Sequence, residues 1–259
     1  MIRASLDEEK ITRALGSNYW RVRVLSETSS TQDELKTELV SNGDCVVTEF
    51  QSAGRGRLDR SFESDPQVAL LFSFYIKPER KDSWGWIPLL SGLSVAQTIN
   101  EVTSTRDYQT KWPNDLISAS GKIAGILCER HKDGIIVGIG INVSTQVDEL
   151  PVDTASSIFI TSGLEIDRNN LLAAILRRFQ DNFENWLLGS EFKAPYRALS
   201  ATIGHDVKAL LPSGDEIFGK AKGIGEDGEL LLESGDVITV GDIVHPSINS
   251  GQLASLKLV

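Results

Sequence analysis

Three arginines, Arg55, Arg57 and Arg60, fall within six residues of a chain that is acidic overall. They follow the run Glu49-Phe50-Gln51-Ser52-Ala53, and the intervening Gly54 and Gly56 allow backbone N–H groups to approach a ligand closely. Arginine carries a fixed charge and a planar donor fork that suits carboxylate or phosphate. Such a loop is either a local anion site or a solvated basic turn. It is not a dinucleotide fingerprint, because Asp59 stands where the third glycine belongs, and no Gly-Lys-Ser/Thr follows to make a Walker loop.

A second segment is Lys111-Trp112-Pro113-Asn114-Asp115. Proline removes a ladder hydrogen bond, so within a strand-like run it predicts a bulge that re-aims Asn114 and Asp115. Lys122 heads the apolar run Ile123-Ala124-Gly125-Ile126-Leu127, where its ammonium could meet the same anion as the arginines. The plainer alternative is a bulged edge with an exposed lysine and aspartate. In Gly138-Ile139-Gly140-Ile141-Asn142, small residues share one strand face and an amide stands near the end. That pattern fits close approach of a ligand and an amide reading a purine edge, or simply a structural turn.

These residues need rigid elements to hold them. Ser5-Leu6-Asp7-Glu8 reads as a capping box opening a short helix that ends by Gly16. Period-two alternation predicts a strand over 19–27, and Ser29-Ser30-Thr31 offers N-cap residues for a helix over 32–39. Buried strands are expected over 45–51 and 68–76, a helix over 86–102, and a meander of three strands over 109–117, 121–130 and 135–143. A long amphipathic helix over 170–188 and a shorter one over 192–199 follow. Beyond residue 201, strands over 206–211, 216–224, 229–233 and 236–240 are separated by glycine turns, the texture of a small barrel. The expected organisation is a domain over 1–200 and an all-β appendix over 201–259. The loop over 52–67, with its glycines and three mutually repelling arginines, is expected to stay mobile until a ligand binds.

Composition narrows the field. The chain has 259 residues, 41% hydrophobic and 24% charged, the balance of a globular protein. With 26 basic against 36 acidic residues and a net charge of -10, general attraction to nucleic acid or anionic lipid is disfavoured, so anion binding must be local. Cys45 and Cys128 sit in apolar runs with no metal-binding spacing, and His131, His205 and His245 are scattered. No apolar run reaches the ~20 residues of a membrane helix. The start is too polar for a secretory signal, and a cytoplasmic protein is expected.

Taken together and in order, the Ser30-Thr31, Gln51 to Arg57, Lys111 to Asp115, Lys122 to Leu127 and Gly138 to Asn142 segments resemble the biotin protein ligase family. The resemblance covers nearly the whole chain. It implies an α+β fold, a mixed sheet with helices like that of class II aminoacyl-tRNA synthetases, and an SH3-like C-terminal barrel. About 18 residues precede the first strand, too few for the helix-turn-helix domain of family members that repress transcription, so the enzyme-only type is expected.

The implied reaction activates biotin with MgATP to biotinoyl-adenylate, then passes biotin to a lysine of a biotin carboxyl carrier domain. By the same resemblance, Ser30, Thr31, Gln32, Gln51 and the Gly54-Arg55-Gly56 backbone hold the ureido ring. Phe62, Ala124 and Gly125 wall the acyl chain. Arg55, Arg57 and Lys122 bind carboxylate and phosphate, with Arg57 retaining the adenylate, and Asp115 positions the metal or the incoming lysine. Lys111, Asn114 and Asn142 serve the nucleotide. No metal ligand is assigned; neither DNA nor membrane is an expected partner, and the chain is expected as a monomer or weak homodimer. Gln32 replaces a usual Asn, Asp59 a Gly of some members, and Phe62 a common Trp. A lipoate protein ligase and a non-enzymatic biotin or nucleotide sensor are the competing readings.

Overall fold

The computed structural model describes residues 3–37, 39–57, 61–62, 64–79 and 82–244. Asp59, Arg60 and His245 lie outside the described residues. Among those described, the strands form two sheets.

The larger, seven-stranded sheet runs β1-β2-β3-β7-β6-β5-β4, from β1 (Arg21–Leu25), β2 (Asp44–Thr48), β3 (Ala69–Ile76), β4 (Gln109–Lys111), β5 (Asp115–Ser118), β6 (Gly121–His131) and β7 (Gly134–Asn142). β1 and β2 are parallel and the other neighbours antiparallel. Every residue of β3 is buried, so this strand is covered on both faces. One face packs under α1 (Glu8–Leu15), α3 (Trp86–Thr103) and α5 (Arg168–Leu187), the other against the short α2 (Thr31–Leu35).

On the α2 face the apolar surface is interrupted. Leu35, Val46, Tyr75 and Ile136 form one cluster, and Val68, Ala69, Leu71 and Phe62 another. Between them the strands present Ser73 with its cross-strand partner Gly138, and Gly140 two residues further along β7, opposite Leu71. A sheet face built from glycine and serine leaves room that larger side chains would fill.

The smaller sheet runs β11-β10-β9-β8-β12, with β8 (Asp206–Leu210), β9 (Glu216–Ile224), β10 (Leu230–Leu232), β11 (Val237–Ile238) and β12 (Asp242–Val244). It docks through α6 (Lys193–Ala198) and two indoles: Trp86 Nε1 donates to the Gly225 carbonyl at 3.1 Å and Trp112 Nε1 to that of Gly228 at 2.9 Å.

Several elements differ from expectation for local reasons. Asp7, not Ser5, caps α1, because its carboxylate accepts from the Lys10 amide. α2 stops at Leu35, before residue 39. The run over 109–117 is two strands, not one: the Trp112–Pro113 peptide is cis, and the chain reverses there so that Lys111 faces Asp115. The proline therefore sits in a hairpin turn, and the irregularity of register falls later, between Leu116 and Ile117. A 3-10 turn at Val147–Glu149, α4 (Ile158–Ser162) and β12 join the expected elements; they carry no strong periodicity in sequence.

Candidate active site

A cleft of about 2090 Å³ opens on the α2 face and extends to the edge of the small sheet. Most of the residues singled out in the sequence line it. Its inner end is built from the start of α2. The Thr31 amide and hydroxyl both donate to Gln51 Oε1, at 2.8 and 2.9 Å, and the same hydroxyl lies 2.7 Å from Ser73 Oγ. These bonds turn the Gln51 Nε2 donor away from Thr31, beside Gly54. Ser30 is the N-cap by position but makes no side-chain cap bond. Gln32 Nε2 donates to the Leu127 carbonyl at 3.1 Å.

The glycines of β7 now have a reason. A Cβ at Gly138 would lie 2.8 Å from Gln32 Cδ, and one at Gly140 2.7 Å from Phe62 Cζ. Glycine is needed there for a glutamine and an aromatic ring to lie flat on the strand. Gly125, opposite Gly140 in the register, extends the same trough toward Lys122, whose Nζ would be 3.6 Å from a Cβ there. Gly54 is buried, its carbonyl accepting from the Phe62 amide at 2.9 Å, which closes the base of the arginine loop.

The outer end holds the charges. Lys122 Nζ pairs with Asp115 Oδ1 at 2.7 Å. The lysine backbone is clamped on both sides, its amide donating to the Thr154 carbonyl at 2.9 Å and its carbonyl accepting from the Ser156 amide at 2.8 Å. Gly121 permits this approach: φ is +133° and a Cβ would lie 2.6 Å from the Thr154 oxygen. Arg57 Nη1 donates to Asn114 Oδ1 at 3.0 Å, and Asn114 is itself held in its turn by bonds with both backbone groups of Ile126. Lys111 and Gly56 also line the cleft.

Three expected contacts do not come together here. Ala124 is 1% exposed in the main core on the opposite face of β6 from Gly125. Asn142 is buried beyond the cleft lining and spends its amide on the Ser156 carbonyl at 2.9 Å. The Arg55 guanidinium pairs with Asp33 at 2.6 Å and Glu129 at 3.5 Å. Glu129 is seven residues along β6 from Lys122, about 23 Å at strand rise. The arginine loop therefore sends its two described arginines to opposite ends of the cleft, each to a carboxylate, and their mutual repulsion is answered before any ligand arrives.

Residues not read as functional also line the cleft: Pro151 to Thr154 before α4, and, in or next to the small sheet, His205, Lys208, Gly241 and Asp242. No motif spacing marks them, since they approach only through tertiary packing. The cysteines stand apart from it. Both are free, and burial raises the Cys45 thiol well above its ordinary value and pushes Cys128 up to about 12, so neither is a thiolate nucleophile at neutral pH.

Similarity to known proteins agrees with this geometry. The Biotin/lipoate A/B protein ligase family matches residues 22–145, and the biotin protein ligase C-terminal domain matches residues 202–252. The biotin–[acetyl-CoA-carboxylase] ligase of Mycobacterium tuberculosis is 31% identical, across 94% of this chain and 97% of its own length. The bifunctional ligase/repressor BirA of Escherichia coli is 33% identical, across 84% of this chain and 70% of its own length. The biotin protein ligase of Aquifex aeolicus, solved with biotin and ATP, superposes with a TM-score of 0.76 at 35% identity, covering 86% of this chain and 97% of that one. A relative above 30% identity along almost its full length, with both sheets accounted for, leaves one assignment: the chain belongs to the biotin protein ligase family.

Proposed function

We propose that this biotin–protein ligase activates biotin as biotinoyl-5'-adenylate and delivers it to a lysine of a biotin carboxyl carrier domain, with residues 1–200 as the catalytic unit and 201–259 as an accessory one. The observation that carries the reading is the trough of Gly125, Gly138 and Gly140, with a donor-rich polar end at Thr31, Gln51 and Ser73 and a cationic end at Lys122 and Arg57. Biotin has a polar fused ring, an apolar chain and a terminal carboxylate in that order. Gln51 and Thr31 suit the ureido ring, with the backbone at Arg55 beside it, and Phe62 over Gly140 walls the chain.

In the first step a biotin carboxylate oxygen attacks the α-phosphorus of ATP, a P–O bond forms, and the bond to the pyrophosphate oxygen breaks. Charge grows on the phosphoryl oxygens, and Lys122 and Arg57 stabilise it by preorganised electrostatics rather than covalent bonding. In the second step the carrier's amine nitrogen attacks the acyl carbon; AMP leaves and the nitrogen loses a proton. Asp115, 2.7 Å from Lys122 Nζ, orients that ammonium.

Magnesium suits this donor set only as a companion of the nucleotide. Among the described residues no group of three or more candidate ligands occurs, and Mg²⁺ is commonly held by substrate phosphates with one or two carboxylates, here Asp115. It would supply charge neutralisation of the phosphates.

Biotin-dependent release of pyrophosphate from MgATP tests the reading. Lys122→Ala should reduce it by on the order of a hundredfold or more, from about 3 kcal/mol of lost stabilisation. Release supported by lipoate and not by biotin would favour the lipoate ligase alternative, and binding without release would favour a sensor.

A further inference from the structure

We propose that the small sheet supplies a positioning residue, Asp242, which holds the Arg57 guanidinium in place at the cleft and so sets how long the reactive intermediate is retained. The inference rests on the biotinoyl-adenylate reading above.

Arg57 comes from the loop after β2, yet two of its partner groups among the described residues, Gly241 and Asp242, stand at the start of β12 of the other sheet. Its Nη1 and Nη2 both donate to the Gly241 carbonyl at 3.4 Å, and Nη1 lies 3.6 Å from Asp242 Oδ1. Another partner, Asn114, is fixed by its bonds to Ile126. The arginine and aspartate side chains are only 21% and 22% exposed, which distinguishes the pair from the solvated surface bridges that contribute little.

The anchor is rigid. Asp242 begins β12, opposite Leu210 of β8. Gly241 adopts φ +149° with its would-be Cβ 2.7 Å from the Leu210 oxygen, so only glycine brings its carbonyl to this position. The sheet that carries both residues is docked by the indoles of Trp86 and Trp112. Asn114 immediately precedes Asp115, so the residue that accepts from the guanidinium and the residue that pairs with Lys122 are neighbours in the chain.

A guanidinium has five N–H donors, more than these acceptors consume, and a planar fork held on one edge presents its remaining donors in a fixed direction. Without the carboxylate, the long side chain on a glycine-bearing loop regains its rotamers, and ordering it falls to the ligand. The intermediate would then leave sooner.

The experiment uses the full chain as wild type, Asp242→Asn, Asp242→Ala, Arg57→Gly and the Arg57→Gly/Asp242→Ala double variant. Adenylate formed from biotin and α-labelled ATP is chased with unlabelled substrates, and its release is followed. Release should be about tenfold faster for Asp242→Ala, the loss of one modest charge-assisted contact, and less affected for Asp242→Asn, which keeps an acceptor. Adding Asp242→Ala to Arg57→Gly should change nothing further, since both act through one contact. Unchanged or slower release in Asp242→Ala, or rates that multiply in the double variant, would overturn the proposal. Amide hydrogen exchange of the unliganded proteins is read in parallel: residues 53–57 should exchange faster in both Asp242 variants while β8 keeps its protection, and unchanged exchange would also overturn it. If the wild type releases no pyrophosphate with biotin, the biotin reading fails by itself, and hydrogen exchange still decides whether Asp242 holds Arg57.

Discussion

At the scale of single residues, three cationic groups of the cleft are matched to carboxylates before substrate binds: Lys122 to Asp115, Arg55 to Asp33 and Glu129, Arg57 to Asp242. In an acidic chain this keeps local positive charge from collapsing onto chance partners, and it makes ligand binding an exchange of one anion for another. Arg57 is the group whose removal should be most informative. Arg57→Gly should still form adenylate, because Lys122 remains, but should let it escape some tenfold to a hundredfold faster, the loss of roughly 1.5 to 3 kcal/mol. The escaped acyl-adenylate would acylate bystander amines. Incubating the variant with MgATP, biotin and an unrelated lysine-rich protein should label that protein beyond the wild-type level; equal labelling with adenylate still made would remove Arg57 from the retaining role.

At the scale of elements, β7 gives up packing so that the site can exist. Gly140→Ala puts a methyl group 2.7 to 2.9 Å from three Phe62 ring atoms. The ring belongs to a half-exposed loop residue and can move, so the fold should survive while the trough narrows. The KM for biotin should rise about tenfold, within the ~1–3 kcal/mol of overpacking, and an unchanged KM would mean that biotin does not lie on this strand. α5 shows the opposite economy, with an N-cap made for stability. Asp167 accepts from the amides of Asn169 and Asn170 at 2.8 and 3.1 Å and pairs with Lys10 of α1 at 2.9 Å. Asp167→Ala should cost ~1 kcal/mol, seen as a lower urea midpoint with an unchanged m-value.

At the scale of the whole molecule, two indole bonds and the Arg57 contacts tie the small sheet to the large one. Trp112→Phe keeps the aromatic bulk but leaves the Gly228 carbonyl without its donor, at ~1–3 kcal/mol. Thermal unfolding should report the loss, and adenylate retention should weaken with it if the sheet anchors Arg57. Acid acts at other joints of the same assembly. Hydrogen bonds from Arg3 hold the Glu149 carboxyl below its ordinary range against the effect of burial. At Asp167 burial pushes upward but is outweighed by Lys10 and the two backbone amides. A carboxyl lowered in the folded state stabilises fully above its unfolded value and loses that contribution as pH falls through the folded one. Stability should therefore decline as pH drops below about 4.5, the ordinary glutamate value. Thermal midpoints measured across that range should fall less steeply in Glu149→Gln, which has no proton to take up there.

How much of this was legible in the chain differs by residue. Hydrophobic periodicity located α3, α5 and the central strands because those elements bury a repeating face, and the ungapped Gly54-Arg55-Gly56-Arg57 and Lys111 to Asp115 runs marked the two loops that meet at the cleft. What periodicity could not give is direction. Arg55 and Arg57 are two residues apart, yet one reaches Asp33 and Glu129 while the other reaches Asp242, because each follows the nearest carboxylate that the folded sheets bring up. Ala124 and Gly125 are adjacent, and strand alternation, with its period of two, sends one into the core and the other to the trough. Pro113 reads as a break in a strand, but only the pairing of Lys111 with Asp115 makes it a hairpin turn. Asp242 has no motif at all; it gains its place because β12 pairs with β8 at Leu210, and register between distant segments is fixed by the packing of the whole sheet rather than by any local run of residues.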